Sequence, residues 1–405
     1  MEIIDKIKNH DLWIRFMEDR ISKGCVRNKE CEDLKAFVNE RKYLKLVLQI
    51  ERTKEMPVPY LLEVNKSSVS RKRQVFTVSK EENYILKMFA YLLNEYDDIF
   101  SENLYSFRSG SGVKKAISTI MKNVDLEKAY TYKADIKDYF NSISADNVLK
   151  MFSEYLPSEK WMLSFLEKLL KSPFAIKDGS LVEIKKGVMA GFPTAGFLAN
   201  LYLKELDEYF FKKGVTYARY SDDIIVFANS QEEICVYEDV IKNFLSSKGL
   251  EINPRKEVRT VPGEKIEFLG VEFCGNQINV SDMTEKKLKA KIKRKARALY
   301  RWKIRKNATD ERTARAMIRF LNNKFYNNST YGEITWCRWY FPLITKDDKL
   351  KRIDQYAVES IRYLYTGRHG KSNYNLTYQD IKLMGYRSLV NSFWKFKKGK
   401  YEVSS

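Results

Sequence analysis

The chain has 405 residues, only eight prolines, and 73 Lys+Arg against 53 Asp+Glu, a net charge of +20 with 14% aromatic residues. Such a basic, ring-rich composition suits a phosphate-bearing partner bound in a salt-dependent way. Two histidines and five cysteines without a Cys-x-x-Cys pair exclude zinc modules and a disulfide frame, while the lack of any membrane-length apolar run or secretory start leaves a soluble, cytoplasmic protein with no membrane partner as the expectation.

Few prolines suit one many-part enzyme rather than domains strung on linkers. Residues 1–55 are charged with helical periodicity and form an N-terminal helical extension, a candidate RNA contact. Residues 60–78 read as a β-hairpin with basic residues near its tip, and Glu81–Asn94 reads as a helix. Thr131–Ile136 reads as a buried strand carrying Asp135, with a helix start near Ser144 and helices near 145–170 and 194–212. Tyr217–Ala228 sets two β-rich runs either side of Asp222 and Asp223, a hairpin with paired acids at its tip. This region has split βαβ character. Lys286–Lys306 holds twelve basic residues in twenty-one and no acid. Leu288, Ile292, Leu299 and Trp302 recur there at helical spacing, so the segment is an amphipathic helix with a basic face. Lys287, Lys291, Arg294 and Lys295 are its candidate nucleic-acid contacts. The remainder is mostly helical, periodic at Glu311–Phe325, Leu350–Tyr365 and Tyr378–Lys382. The fold class is α+β.

Adjacent acids at a hairpin tip concentrate negative charge that needs a cation. If the strand carrying Asp135 lies beside that hairpin, three carboxylates meet and can hold two hard divalent ions; Mg²⁺ suits oxygen donors supplemented by substrate phosphates. Such a pair of ions performs in-line displacement at phosphorus. Taken alone, Asp135 and Asp138 suit solvated loop acids equally well. A charged helix is also ordinarily a solvated one, although acids normally interleave in it.

The order of motifs adds a resemblance. Lys-Ala-Asp-Ile-Lys-Asp-Tyr-Phe (133–140) is followed by Lys-Gly-Val-Met-Ala-Gly-Phe-Pro-Thr-Ala-Gly-Phe-Leu-Ala-Asn (186–200) and Tyr-Ser-Asp-Asp (220–223). Gly-Leu-Glu-Ile-Asn-Pro-Arg-Lys (249–256) and Ile-Glu-Phe-Leu-Gly-Val-Glu-Phe (266–273) come next. These resemble the successive palm motifs of reverse transcriptases, and Leu-Tyr-Ser-Phe-Arg-Ser-Gly (104–110) resembles a signature of group II intron and retron-like enzymes. The resemblance implies a right-hand polymerase: fingers over 56–110, palm over 111–280, and a mostly helical thumb and C-terminal region over 281–405. It implies an RNA-directed DNA polymerase with dNTPs as substrates and an RNA template and DNA primer or product as partners.

The resemblance also assigns roles. Asp135 and Asp222 would ligate both Mg²⁺ ions, with Asp223 in support and the Ile136 carbonyl as a further ligand. Phe140 matches the steric gate that collides with a ribose 2′-hydroxyl; a core aromatic is the plain alternative. Lys256 matches the lysine that protonates the leaving pyrophosphate, although a lone lysine after a turn is more often solvated. Arg73 aligns with the arginine that grips the incoming triphosphate, and Lys66 would assist from the facing strand. Arg108, inside the 104–110 motif, falls on nucleic acid. Gly191 would let the backbone approach nucleotide or template closely. Met189-Ala190-Gly191 stands where related bacterial enzymes read Pro-Gln-Gly. Ala190 cannot make the glutamine's hydrogen bond near the sugar, so altered selectivity, fidelity or priming is expected.

Neither an RNase H cluster, a Cys/His-rich endonuclease tail nor an integrase-sized extension is present, and the retron signatures Asn-Ala-x-x-His and Val-Thr-Gly are missing. The runs Trp336–Pro342, Tyr363–His369 and Gly385–Val390 resemble bacterial defence-associated reverse transcriptases, most nearly the class 2 type. That likeness implies an anti-phage enzyme templated by a non-coding RNA encoded nearby. An RNA-dependent RNA polymerase, a maturase-like RNA-binding scaffold, and a template-independent or protein-primed DNA polymerase are the rival readings.

Overall fold

Apolar residues recurring on one face of each segment make the first fifty residues helical: α1 (Ile3–Lys6), α2 (His10–Ser22), α3 (Asn28–Asn39) and α4 (Tyr43–Thr53). Their inner faces meet at Trp13, which is fully buried, stacks on Tyr43 at 4.5 Å and donates its indole N–H to the Ile7 carbonyl at 2.7 Å. The structure, a computed structural model, describes residues 1–23, 28–65, 72–184, 187–326, 335–367 and 375–399. The chain divides into two units, Met1–Pro262 and Gly263–Ser405.

In the first unit, β1 (Tyr60–Asn65) and β2 (Lys72–Thr77) form the expected hairpin, capped on the C-terminal side by α5 (Lys80–Leu93) with a Ser79/Glu82 capping box. Next come α6 (Val113–Asn123), β3 (Tyr130–Asp135), α7 (Tyr139–Ser142), α8 (Ala145–Tyr155) and α9 (Lys160–Lys171). Ser144 caps α8 by accepting from the Asn147 N–H, as its sequence position predicts. A short hairpin, β4 (Phe174–Lys177) and β5 (Ser180–Glu183), joins the first in a sheet of order β2-β1-β4-β5. Then follow α10 (Ala195–Tyr202), α11 (Lys204–Lys212), β6 (Tyr217–Tyr220), β7 (Asp223–Ala228), α12 (Gln231–Ser247) and β8 (Val258–Thr260). The second sheet runs β6-β7-β3-β8, all pairs antiparallel: a hairpin inserted between two strand–helix units, which is the split βαβ arrangement. Central β7 shows no polar alternation because both its faces are covered, and Ile224, Ile225 and Val226 have no exposed surface.

In the second unit, β9 (Ile266–Phe268), β10 (Val271–Cys274) and β11 (Gln277–Val280) make an antiparallel meander. These strands fall in the same compact unit as the helices that follow. The helices are α13 (Asp282–Lys306), α14 (Asp310–Phe325), α15 (Trp336–Tyr340), α16 (Asp348–Thr366), α17 (Tyr378–Leu383) and α18 (Leu389–Lys397). Helix α13 buries Leu288, Ile292, Ala296 and Leu299 and leaves Lys286, Lys287, Lys291, Lys293, Arg294, Arg297 and Arg301 exposed, which is the amphipathic basic helix its sequence predicts. Asp354 on α16 accepts hydrogen bonds from the Tyr386 and Ser388 hydroxyls at 2.7 and 2.6 Å and from the Leu389 and Val390 N–H groups at 2.9 and 3.0 Å. The Gly385–Val390 run therefore has a structural job, seating the start of α18 on a buried carboxylate.

Candidate active site

Antiparallel register sets Asp135 on β3 directly opposite Asp223 on β7, and Tyr220 on β6 opposite the same Asp223. Ser221 and Asp222 make the turn, with Ser221 in left-handed backbone at φ 60°. The Ile136 N–H donates to the Asp222 carbonyl at 3.0 Å, stapling the end of β3 to that turn.

The opposite edge of β3 meets residues 251–256. Ile136 bridges Ile252, and the Asn253 N–H donates to the Asp135 carbonyl at 2.7 Å. The Asn253 side chain donates to one Asp135 carboxylate oxygen at 3.2 Å, while Lys256 Nζ ion-pairs with the other. Asp135 is 3% exposed, so both engaged oxygens compensate its burial. Asn253 lies inside the 249–256 motif, whose residue order alone gives it no role; its side chain is what orients Asp135.

Burial, then the charge of Asp135, raises the pKa of Asp222; burial, then Asp222 and Asp135, pushes Asp223 up to about 6. Burial pulls Lys256 down, but its hydrogen bond to Asp135 and the surrounding aspartates outweigh this and hold the ammonium above its ordinary value. Crowded carboxylates that raise one another's pKa favour a multivalent counter-ion. The donor set is all oxygen and fits a hard divalent cation such as Mg²⁺.

A second layer, missed by motif reading, fixes the turn. Arg219 has no exposed surface; its Nε and Nη2 donate to the Asp207 carboxylate at 2.8 and 2.5 Å. The same guanidinium donates to the Asn200 carbonyl at 3.1 Å and the Ser221 carbonyl at 3.3 Å. Tyr217 adds a hydroxyl bond to Asp207 at 3.0 Å, and Ser106 Oγ accepts from the Ser221 N–H at 2.8 Å. The available signals were an arginine inside a strand otherwise rich in aromatic and apolar residues, and an asparagine ending the apolar run 195–200.

Residues 64–273, just over half of the chain, match the family described as reverse transcriptase (RNA-dependent DNA polymerase). The chain belongs to the reverse transcriptase family. It is 28% identical over 183 residues to the Retron Ec73 reverse transcriptase of Escherichia coli, covering 42% of this chain and 55% of that protein. The Retron Ec86 reverse transcriptase of Escherichia coli is 26% identical over 162 residues, 39% of this chain and 47% of that protein. The chain thus spans about half the length of the curated relatives it matches. Among solved structures, apo telomerase from Candida tropicalis truncated from its C-terminal domain has a TM-score of 0.45 at 13% identity, covering 55% of each chain.

The remaining expected residues fall unevenly. Phe140 is half-buried and packed against the core; the Phe107 ring lies 6.0 Å from it at 87°, and the exposed Arg73 places its guanidinium 5.7 Å from the ring centroid. Asp138 is an exposed loop acid. Gly191 has φ 104°, and a Cβ there would stand 2.4 Å from Val75 Cγ1 and 2.7 Å from the Phe76 carbonyl. β2 makes one close approach that requires glycine here, and the Ala190 carbonyl accepts from the Phe76 N–H at 2.7 Å in the same contact. Arg108 pairs its guanidinium with Asp97 at 3.0 Å and donates to the carbonyls of Asp97, Ser101 and Leu104, which ties its own loop together. Lys66 lies outside the described residues.

In the second unit, Lys287, Lys291 and Arg294 are exposed on α13, whereas Lys295 is half-buried with its Nζ 5.4 Å from the Phe320 ring centroid. Glu267, Glu272 and Asp282 are, among the described residues, the acids whose oxygens gather within 4.8 Å. Lys265 and Lys349 pair with both Glu272 and Asp282, so two of the three acids have lysine counter-charges within the unit. Among the described residues no helix is long and apolar enough to cross a membrane.

Proposed function

We propose that the chain is an RNA-directed DNA polymerase that copies an associated non-coding RNA in bacterial anti-phage defence. The observation that supports the polymerase reading is the register of β3 against β7, which sets Asp135 opposite Asp223, with Asp222 in the adjoining turn and Lys256 ion-paired to Asp135. Asp135 and Asp222, with Asp223 and the Ile136 carbonyl in support, would hold two Mg²⁺ ions, whose chemistry would be Lewis acidity at the attacking primer 3′-hydroxyl and the leaving pyrophosphate. Arg73 grips the triphosphate by charge-assisted hydrogen bonds. The Phe140 ring occupies the space a ribose 2′-hydroxyl needs, favouring dNTPs. Lys256 stays protonated in the carboxylate field and is the general acid that delivers its proton to the pyrophosphate oxygen. The exposed basic face of α13 and the charged N-terminal helices bind RNA through its backbone and shape.

The defence reading is supported by the partial likeness to retron reverse transcriptases and by the C-terminal runs. Primer extension on an RNA template with Mg²⁺ and dNTPs tests the enzyme: Asp222→Asn should abolish incorporation while leaving the circular-dichroism spectrum and RNA affinity unchanged. Incorporation at the wild-type rate refutes the metal assignment. Phage challenge of cells carrying the gene and its flanking DNA, with Asp222→Asn as control, tests the biology. Equal plaque counts for both forms across a broad panel refute the defence role.

A further inference from the structure

The 104–110 segment carries a distinctive motif, yet neither the metal site nor the nucleotide contacts use it. Its residues are anchored on both sides of Phe107. On one side, Ser106 has no exposed surface; its Oγ accepts from the Ser221 N–H at 2.8 Å, and its carbonyl accepts from the Asn200 side chain at 2.8 Å. On the other, Arg108 is tied by its guanidinium to Asp97 and to three backbone carbonyls. Between these anchors Phe107 adopts φ 53°, a left-handed conformation costly for a bulky residue. It nevertheless leaves its side chain 50% exposed.

Neither burial nor backbone preference accounts for that geometry. A large apolar ring is held in a sparsely populated conformation while half of it faces water, and such outliers collect at functional sites. Two neighbours define where the ring sits. Gly196 on α10 floors it: a Cβ there would lie 2.7 Å from Phe107 Cγ and 2.8 Å from Cδ1. Phe140 receives its edge at 6.0 Å and 87°, an aromatic arrangement favoured by ring quadrupoles. The Phe140 backbone is separately fixed, since its carbonyl accepts from the Val188 N–H at 2.9 Å. What the backbone leaves free is the side-chain rotation of Phe140, and Phe107 stands against that ring.

We propose that Phe107 is a positioning residue for the sugar gate: it buttresses the Phe140 ring, so the enzyme's choice between deoxy- and ribonucleotides depends on a residue outside the nucleotide-contact set. The inference rests on the polymerase reading above. Ser106 links the same segment to the turn that presents Asp222, so the gate and the carboxylates share one scaffold.

Single-nucleotide incorporation, with kcat and KM determined separately for a dNTP and the matching rNTP, tests this. In Phe107→Ala the ratio of kcat/KM for dNTP over rNTP should fall about three- to tenfold, the span set by one edge-to-face ring contact. Phe107→Tyr, which keeps the ring edge, should restore the ratio. Gly196→Ala, which displaces Phe107 without deleting it, should lower the ratio in the same direction and covers the case in which Phe107→Ala fails to fold. On a Phe140→Ala background, adding Phe107→Ala should leave the ratio unchanged, because no gate ring remains to be positioned. The proposal is overturned if the ratio holds in both Phe107→Ala and Gly196→Ala, if both nucleotides lose activity equally, or if the double variant shows additive losses. A wild-type chain that incorporates neither nucleotide would instead refute the polymerase reading itself.

Discussion

Replacing Asp207 with Asn probes how the active-site turn is supported. Asp207 is 1% exposed and Arg219 has no exposed surface, so the substitution leaves a guanidinium in the interior without its counter-charge. The Asn amide keeps one acceptor for the three side-chain donors now aimed at Asp207, from Arg219 Nε, Arg219 Nη2 and the Tyr217 hydroxyl. Breaking a buried pair from one side costs about 3–5 kcal/mol, a large share of the roughly 5–15 kcal/mol that holds a domain together. Urea unfolding, with the transition of residues 1–262 identified by hydrogen exchange, measures the loss. The effect should extend to chemistry, because the guanidinium also bonds the Ser221 carbonyl at the turn; kcat should fall further than the unfolded fraction explains. A loss below about 1 kcal/mol, the size of a surface pair, would refute the idea that this buried ion pair holds the turn.

Other substitutions test separate parts. Gly191→Ala should cost more than about 1 kcal/mol, because φ 104° and the contact with Val75 both oppose a Cβ, and thermal unfolding reads the loss. Ala190→Gln, which brings back the residue of related enzymes, should destabilise by about 1–3 kcal/mol from overpacking rather than add a nucleotide contact, because Ala190 is 1% exposed; urea unfolding measures it. Lys265 and Lys349 hold Asp282 well below the usual carboxylate range, so its stabilising contribution is present above its unfolded pKa, near 4, and is lost as pH falls further. Acid unfolding followed by circular dichroism should accordingly be shallower for Asp282→Asn. Replacing Lys287, Lys291 and Arg294 together by Ala should flatten the salt dependence of RNA binding by up to about one unit of log–log slope for each phosphate no longer neutralised, measured by filter binding across a salt series.

Much of this was legible from residue order. Asp135 and the Asp222–Asp223 pair lie in strands whose β-branched and aromatic content fixes their class, and antiparallel pairing then gathers the acids. Helix α13 was legible because its apolar residues keep helical spacing amid uninterrupted basic charge. The supporting layer was not, because Ser106, Asn200, Asp207 and Arg219 are spread along the sequence and polar residues give no periodic signal. The loop contacts of Arg108 were hidden for the same reason: no periodic signal ties its guanidinium to Asp97 and the loop carbonyls. The packing of Gly191 against β2 was not legible, because that strand lies more than a hundred residues upstream and local spacing does not reveal it.

The Lys256–Asp135 contact bears on how the protein tolerates handling. A cation carried on its own chain occupies one flank of the acidic centre, so stripping divalent ions exposes less raw repulsion than three bare carboxylates would suggest. Dialysis against a chelator should therefore yield an idle but intact enzyme that regains activity on Mg²⁺ addition without refolding. Lys256→Ala, lacking that tethered counter-charge, should be the variant whose melting temperature falls when the chelator is added.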